Sequence, residues 1–252
     1  MQGEPAWDVA ERAAKEAGVQ VRPLTELREA DEVIRVMRET WGEPQLLPRE
    51  LVRAFQSSGN APLGAFDGDR LVGYVLGFLG AEEGSVFLHS HMLAVIPGVR
   101  SGGVGYALKL AQRAAALDLG LTVARWTFDP LVARNAYLNI AKLGAVADRF
   151  HRDHYGEMGD LLNRGDRSDR LEARWDLPRE PGPRAVTSKD AVVVEIPAEY
   201  PELRDRDPAE AARWRDAVAE RLEECFRDGL EANSFRRDHR QVGYVFTPRP
   251  DR

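Results

Sequence analysis

The segment Leu93-Ala94-Val95-Ile96-Pro97-Gly98-Val99-Arg100-Ser101-Gly102-Gly103-Val104-Gly105 passes through three chain behaviours in thirteen residues. An apolar run reads as the end of a strand, a basic and glycine-rich turn follows, and an alanine- and leucine-rich helix begins. That helix carries Ala107, Leu108, Ala111, Ala114, Ala115 and Leu117 as its apolar stripe. A helix start leaves several backbone N–H groups without internal acceptors, and the macrodipole adds partial positive charge there. Glycines let a ligand approach that backbone closely. The segment therefore predicts a phosphate or pyrophosphate site. A P-loop would continue with Gly-Lys-Ser/Thr, which is missing here. A dinucleotide-binding fold needs parallel crossovers, and the segments before this turn read as hairpins.

Upstream, three strand-like segments at 63–66, 71–79 and 86–95 are separated by Asp67-Gly68-Asp69 and by a turn around Glu82-Glu83-Gly84. Further back, residues 1–20 read as a helix stopped by Gly18, 19–22 as a short strand, and 23–41 as a helix. The last of these has apolar positions at Val33, Ile34, Met37 and Trp41. Residues 46–55 form a further helix candidate with Pro48 in its first turn. Downstream, Gly120 ends the helix, 121–128 is a strand, and Asp129-Pro130 turns into a helix over 132–142 closed by Leu143-Gly144. Strands follow at 145–150 and 170–177. The expected domain limits are 1–177, a proline-containing linker over 178–190, and a compact strand–helix–strand annex over 191–252. In the annex, Asp207-Pro208 starts a helix reaching about residue 230, with Trp214, Val218, Leu222 and Phe226 on its buried face.

Composition narrows the function classes. The chain has 252 residues, 43% of them hydrophobic, and 35 basic against 41 acidic side chains give a net charge of -6. That balance argues against a nucleic-acid partner. One cysteine, Cys225, excludes an internal disulfide framework and any cysteine-based zinc cluster, so no metal is expected. The first ten residues contain Glu4 and Asp8 and no apolar run, and the apolar stretch 71–81 is short and broken by glycines. These features predict a cytoplasmic protein with no membrane partner.

The turn resembles motif A of the GCN5-related N-acetyltransferases (GNAT), Gln/Arg-x-x-Gly-x-Gly/Ala, with Arg100, Gly103 and Gly105 as the matches and Val95 and Pro97 in the usual Val-x-Pro places. The order of elements over about residues 19–150 is also similar to that family. The resemblance implies an α/β (α+β) fold with a mixed, mostly antiparallel central sheet flanked by helices. It also implies acyl-CoA as co-substrate, its pyrophosphate on the amides of Ser101, Gly102, Gly103, Val104 and Gly105, with Arg100 nearby. In the family the strand carrying Leu93, Ala94 and Val95 splays from its neighbour, the pantetheine arm enters the gap, and main-chain amides near Val95 hold the thioester oxygen. Asparagines on the following helix often bond the cofactor, which points to Asn135 and Asn139, spaced to share one helix face. Lys109 and Arg113 lie on the phosphate helix and are read either as phosphate ligands or as surface charges.

An acceptor amine is protonated near neutral pH and must lose a proton before it attacks. His89 and His91 share one face of the strand just before the oxyanion site and are the candidate bases, with Glu82 and Glu83 behind them. Many members of the family use a tyrosine to protonate the departing thiolate; the aligned position here is Ile140, leaving Tyr137 and Tyr155 as candidate acids. Asp129-Pro130-Leu131, Arg134-Asn135-Ala136-Tyr137, Tyr155-Gly156 and Ser168-Asp169-Arg170-Leu171 further resemble a long-form branch, some of whose members are associated with N-succinylamino-acid racemases. That implies acetyl-CoA or succinyl-CoA as donor and a small-molecule amine, such as an amino acid, as acceptor. A carboxylate on either would need a cation, for which Arg134, Arg152, Arg170 and Arg174 are candidates. Protein or peptide N-acetylation and a non-catalytic CoA-binding module are the alternatives, and a homodimer is the oligomeric partner considered.

Overall fold

A computed structural model of the chain describes residues 4–43, 46–99, 102–186, 190–238 and 241–250. It falls into two compact units, Met1–Arg125 with Gly159–Leu161 and Asp176–Glu180, and Trp126–Met158 with Leu162–Trp175 and Pro181–Arg252. The chain passes from the first to the second within one strand, β5 (Val123–Phe128).

The first unit is built as α1 (Ala6–Glu16), β1 (Gln20–Pro23), α2 (Leu27–Trp41), α3 (Arg49–Ser57), β2 (Leu63–Asp67), β3 (Arg70–Glu82), β4 (Ser85–Val95) and α4 (Val104–Asp118). Strands β1 to β4 pair antiparallel in chain order, and β4 meets β5 in parallel through Leu88↔Ala124 and His89↔Arg125. Helix α2 begins at Leu27, later than the sequence suggests, because Pro23 is still paired in β1 and Glu26 and Glu29 close a capping box. Its buried stripe is Ala30, Val33, Val36 and Met37 beside Glu29, while Ile34 and Trp41 are only partly covered. Helix α1 packs on α4 through small residues: Ala10, Ala13, Ala14 and Ala17 are buried on one side, and Ala107, Ala111 and Ala114 on the other. Such surfaces let two helix backbones approach closely. Leu24, Leu71, Leu76, Leu108 and Leu110, all almost fully buried, are among the large side chains of the core with Tyr74 and Met37, each leucine worth roughly 1.5–3 kcal/mol of burial.

The second unit continues with α5 (Ala133–Ala136), which widens into a π-helical turn over Tyr137–Lys142, then β6 (Val146–His151), β7 (Arg170–Asp176), β8 (Val192–Glu195), α6 (Tyr200–Arg206), α7 (Pro208–Arg227), β9 (Leu230–Arg237) and β10 (Val242–Pro248). Its pairings of β6 with β7 and β9, and of β10 with β8 and β9, are antiparallel. The fold is thus mixed α/β with mostly antiparallel strands and flanking helices, as the sequence implies. The expected strand–helix–strand annex needs correcting. Helix α7 stops at Arg227, and the chain beyond Gly229 is a strand, β9, not a helix tail. Glu231, Asn233 and Ser234 favour strands weakly, so β9 exists because β10 and β6 pair with it. Helix α6 was also not foreseen. On α7 the buried positions are Ala211, Arg215, Val218, Ala219, Leu222 and Cys225, while Trp214 and Phe226 are only partly covered. No helix among the described residues is long and apolar enough to cross a membrane.

Candidate active site

In the first unit, the glycine-rich turn delivers the chain into α4 as the sequence suggests. Gly103 is the N-cap at φ 129°, where an L side chain is strained, and a Cβ there would also sit 3.5 Å from the Ala17 Cβ. The first full helical hydrogen bond runs from Ala107 N–H to the Gly103 carbonyl, 2.8 Å, so the amides of Gly103, Val104 and Gly105 precede the helical ladder. The first turn of α4 has no acidic residue to offset the positive end of the dipole. Gly102 is exposed, and a Cβ on it would meet nothing within 4 Å. Val104 is buried and anchors the helix start. Arg100 and Ser101 lie outside the described residues.

Strand β4 offers a second set of donors. Just past its end, the Ile96 N–H points to β3, donating to the Val72 carbonyl at 2.9 Å. Successive strand amides point to opposite sides, so the Val95 and Leu93 amides face away from β3 and the Ala94 amide faces toward it. Of the three residues expected to hold the cofactor arm, Leu93 and Val95 therefore present donors at the far edge, and Ala94 contributes packing. Within this unit the parallel ladder of β4 with β5 ends at His89↔Arg125.

His89 and His91 do share a face. Their rings lie 5.6 Å apart, and both lean on Phe78, at 4.9 and 5.7 Å, which itself stacks on Phe55. His91 is the extra residue of a bulge, because Leu76 pairs with Met92 and Gly77 with Ser90. Desolvation among these rings lowers the His91 pKa below the ordinary imidazole value, although part of the residue reaches the surface. Glu82 lies 3.8 Å from Arg125, and Glu83 is exposed in the turn.

Lys109 and Arg113 are neither surface charges nor phosphate ligands in this unit; both turn inward. Arg113 donates to the carbonyls of Leu177 and Arg179, at 2.7 and 3.3 Å. Lys109, 3% exposed, donates to Ser90 Oγ at 2.8 Å, and Ser90 donates to Gln112 Oε1 at 2.7 Å. Desolvation pulls the Lys109 pKa down to about 7. A Cβ on Gly77 would lie 2.9 Å from the Gln112 amide, so the glycine makes room for this cluster beneath the bulge.

In the second unit, the α5 helix and its π turn carry Arg134, Asn135, Tyr137 and Asn139. The widening is marked by Leu143 N–H donating to the Leu138 carbonyl at 3.0 Å, a step of five residues. Asn139 is 4% exposed, yet its side chain makes no hydrogen bond among the described residues. Asn135 is half-buried, and Arg134 and Tyr137 are exposed. Ile140, aligned with the family's acid, is 0% exposed and belongs to the core. Tyr155 is exposed, shares a hydrogen bond with Thr127 Oγ1 at 3.0 Å, and lies under the Arg170 guanidinium, 5.4 Å from the ring centre.

Three of the candidate cations are committed within the protein. Arg152 pairs with Glu223 at 2.8 Å, Arg174 with Asp148 at 3.0 Å, and Arg170 is buried with bonds to the Asp169 carbonyl and Asn163 Oδ1. Arg134 makes no ion pair among the described residues.

One constellation escaped sequence reasoning. His151 Nε2 meets Glu172 Oε2 at 2.9 Å, and its ring lies 4.8 Å from that of His154, which contacts Tyr155 edge-on at 4.5 Å. His154 has its pKa lowered by desolvation and by neighbouring positive charge. Glu172 is 21 residues from His151 in the chain, and only the β6–β7 register, with Arg149 opposite Glu172, makes them neighbours. No sequence spacing carries that signal. Among the described residues no group of three or more His, Cys, Asp or Glu could hold a metal ion.

No protein-family model matches the sequence, and no curated protein matches it. Solved structures do. The ribosomal-protein-S18-alanine N-acetyltransferase of Escherichia coli is 12% identical, over 68% of this chain and 97% of its own, with a TM-score of 0.51. Arabidopsis thaliana NAA60, in complex with a bisubstrate analogue, is 12% identical over 63% and 97%, with a TM-score of 0.50. The NatC complex bound to Gag peptide and CoA is 16% identical over 63% and 98%, also at 0.50. These neighbours are spanned almost completely, while about a third of this chain has no counterpart in them. The fold of this chain is the GCN5-related N-acetyltransferase (GNAT) fold.

Proposed function

We propose that this protein is a CoA-dependent N-acyltransferase that moves an acetyl or succinyl group from acyl-CoA to the amine of a small molecule, an amino acid being the favoured acceptor. The observation that carries this reading lies in the first unit, where two sets of main-chain donors follow one another along the chain: the edge amides of Leu93 and Val95, then the amides of Gly103, Val104 and Gly105 before α4. Helix-start amides suit a diphosphate, and fixed strand amides suit a developing oxyanion. The near-buried side chain of Asn139, which makes no hydrogen bond among the described residues, fits an amide ligand such as a pantetheine arm.

In the proposed step the neutral amine attacks the thioester carbonyl carbon. The C–N bond forms, the C–S bond breaks, and CoA leaves as its thiolate. The amine proton goes to a base, for which His91 is placed on the bulge of β4 and has a depressed pKa, so that it is neutral near pH 7. The thiolate needs little help from an acid, since a thiol pKa of about 8.5 already makes it a fair leaving group. Tyr137 and Tyr155 are the exposed hydroxyls proposed for that minor role. Arg134, which pairs with no carboxylate among the described residues, is the cation proposed for the acid group of the donor or acceptor, ahead of Arg152 and Arg170.

A peptide acceptor is the second reading. It is supported by neighbours at a TM-score of 0.50 or above, whose names specify a ribosomal protein alanine and a Gag peptide. Calorimetry with acetyl-CoA, succinyl-CoA and free CoA, followed by thiol release against amino acids and against peptides, tests both. Acyl-CoA binding with release on amino acids is the expected result. Release on peptides alone would transfer the assignment to the second reading, and binding without release would leave a CoA-binding module. No binding of any CoA species would remove the proposal.

A further inference from the structure

In the second unit, three elements of the C-terminal segment converge on the short turn between β5 and α5. Arg215 of α7, 3% exposed, forms a two-pronged pair with Asp129 at 2.8 and 2.9 Å and bonds Asp166 on its other side, at 3.1 Å from Nε. Tyr200 of α6 donates to Asp166 at 2.8 Å and places its ring 4.8 Å from the same guanidinium. Tyr244 of β10, fully buried, donates to the Pro130 carbonyl at 2.7 Å. Asp129 in turn accepts from the Leu131 amide at 2.8 Å, which shapes the entry into α5. A charged side chain on the apolar stripe of α7 is costly to bury unless it is fully paired, and here its fork is matched by two carboxylates. The turn it holds leads directly to Asn135 and Asn139.

We propose that Arg215 is a positioning residue for acyl-CoA binding: by clamping Asp129 it sets the start and direction of the helix that presents Asn139. This rests on the acyl-CoA reading above and assigns the C-terminal segment a role in it. The α5 helix has four residues before its π turn and too little length to hold itself in place. Its geometry is imposed from α7.

Two measurements test the proposal. Hydrogen exchange, which needs no ligand, should be faster across residues 130–142 in Arg215→Met than in the wild type, with β2, β3 and β4 unchanged. Steady-state kinetics should show the KM for acyl-CoA raised about tenfold, the KM for the amine unchanged, and no further loss when Asn139→Ala is added. Arg215→Lys, which keeps the charge and loses the fork, should fall between. Unchanged exchange at 130–142, a wild-type KM for acyl-CoA, or losses that multiply in the double variant would overturn it. Should Arg215→Met fail to fold, Asp129→Asn carries the same comparison with the same two outcomes. Absence of acyl-CoA binding in the wild type would sink the reading of the site, while the exchange data would still decide the clamp.

Discussion

Gly103, Lys109 and His91 show how differently single residues can be read. Gly103 was legible as the glycine of a tight turn into a helix, and its φ of 129° explains why an L side chain is strained at the position. Gly103→Val should lower stability by about 1–3 kcal/mol through backbone strain and reduce acyl-CoA affinity at least tenfold; calorimetry on the folded variant checks it. Lys109 was not legible, because nothing in the chain says whether a lysine on α4 turns outward or inward. Its pKa, pulled to about 7 by burial, has a definite consequence for stability. Between pH 7 and the ordinary lysine value the unfolded chain binds a proton that the native state has released, so stability rises with pH across that window. Lys109→Met removes this slope: its thermal stability relative to the wild type should be greatest near pH 6 and decline toward pH 10. His91 has its pKa lowered by desolvation, so the acid limb of kcat/KM should fall below the ordinary imidazole value of about 6.5. His91→Ala should abolish that limb and His151→Ala preserve it; the reverse would move the base to the pair with Glu172.

At the scale of elements, hydrophobic period was sufficient for the long pieces. The β3–β4 hairpin, α4 and β5 lie close to where the apolar runs and the glycine signals put them, although β3 is buried continuously over 71–76 and α4 over 107–114, on more than one face. Three features were not legible for a common reason. The bulge at His91, the π turn after Ala136 and the strand β9 are all decided by neighbours in space. The π turn matters most, since it begins inside what reads as one ordinary helix and holds the Asn139 side chain near the interior with no hydrogen bond among the described residues. Asn139→Ala should therefore lower acyl-CoA affinity about tenfold, one hydrogen bond's worth, with melting temperature nearly unchanged. A loss of melting temperature without a loss of affinity would show that the side chain is structural.

For the whole molecule, the residues from 191 onward supply β8, α6, α7, β9 and β10, and with them Val218, Leu222, Ala232, Tyr244 and Phe246 of the second unit's core. They also place β9 beside β6 through Ala147↔Ala232. A chain ending at Leu177 should consequently lose cooperative unfolding in the second unit and lose acyl transfer, readable by calorimetry and thiol release. A truncated chain that stays folded and active would show the segment to be dispensable.

The sequence by itself determined the mixed α/β class, the run of hairpins into a glycine-rich helix start, and the donor amides that go with it, because these depend on local periodicity and on the conformations only glycine tolerates. Tertiary structure alone decided that Lys109 and Arg113 point inward, that His151 meets Glu172, and that Arg215 grips Asp129. Those outcomes depend on which distant segments are brought within a few ångströms, and on how burial changes the energy of a charge, neither of which is a property of any stretch of chain taken alone.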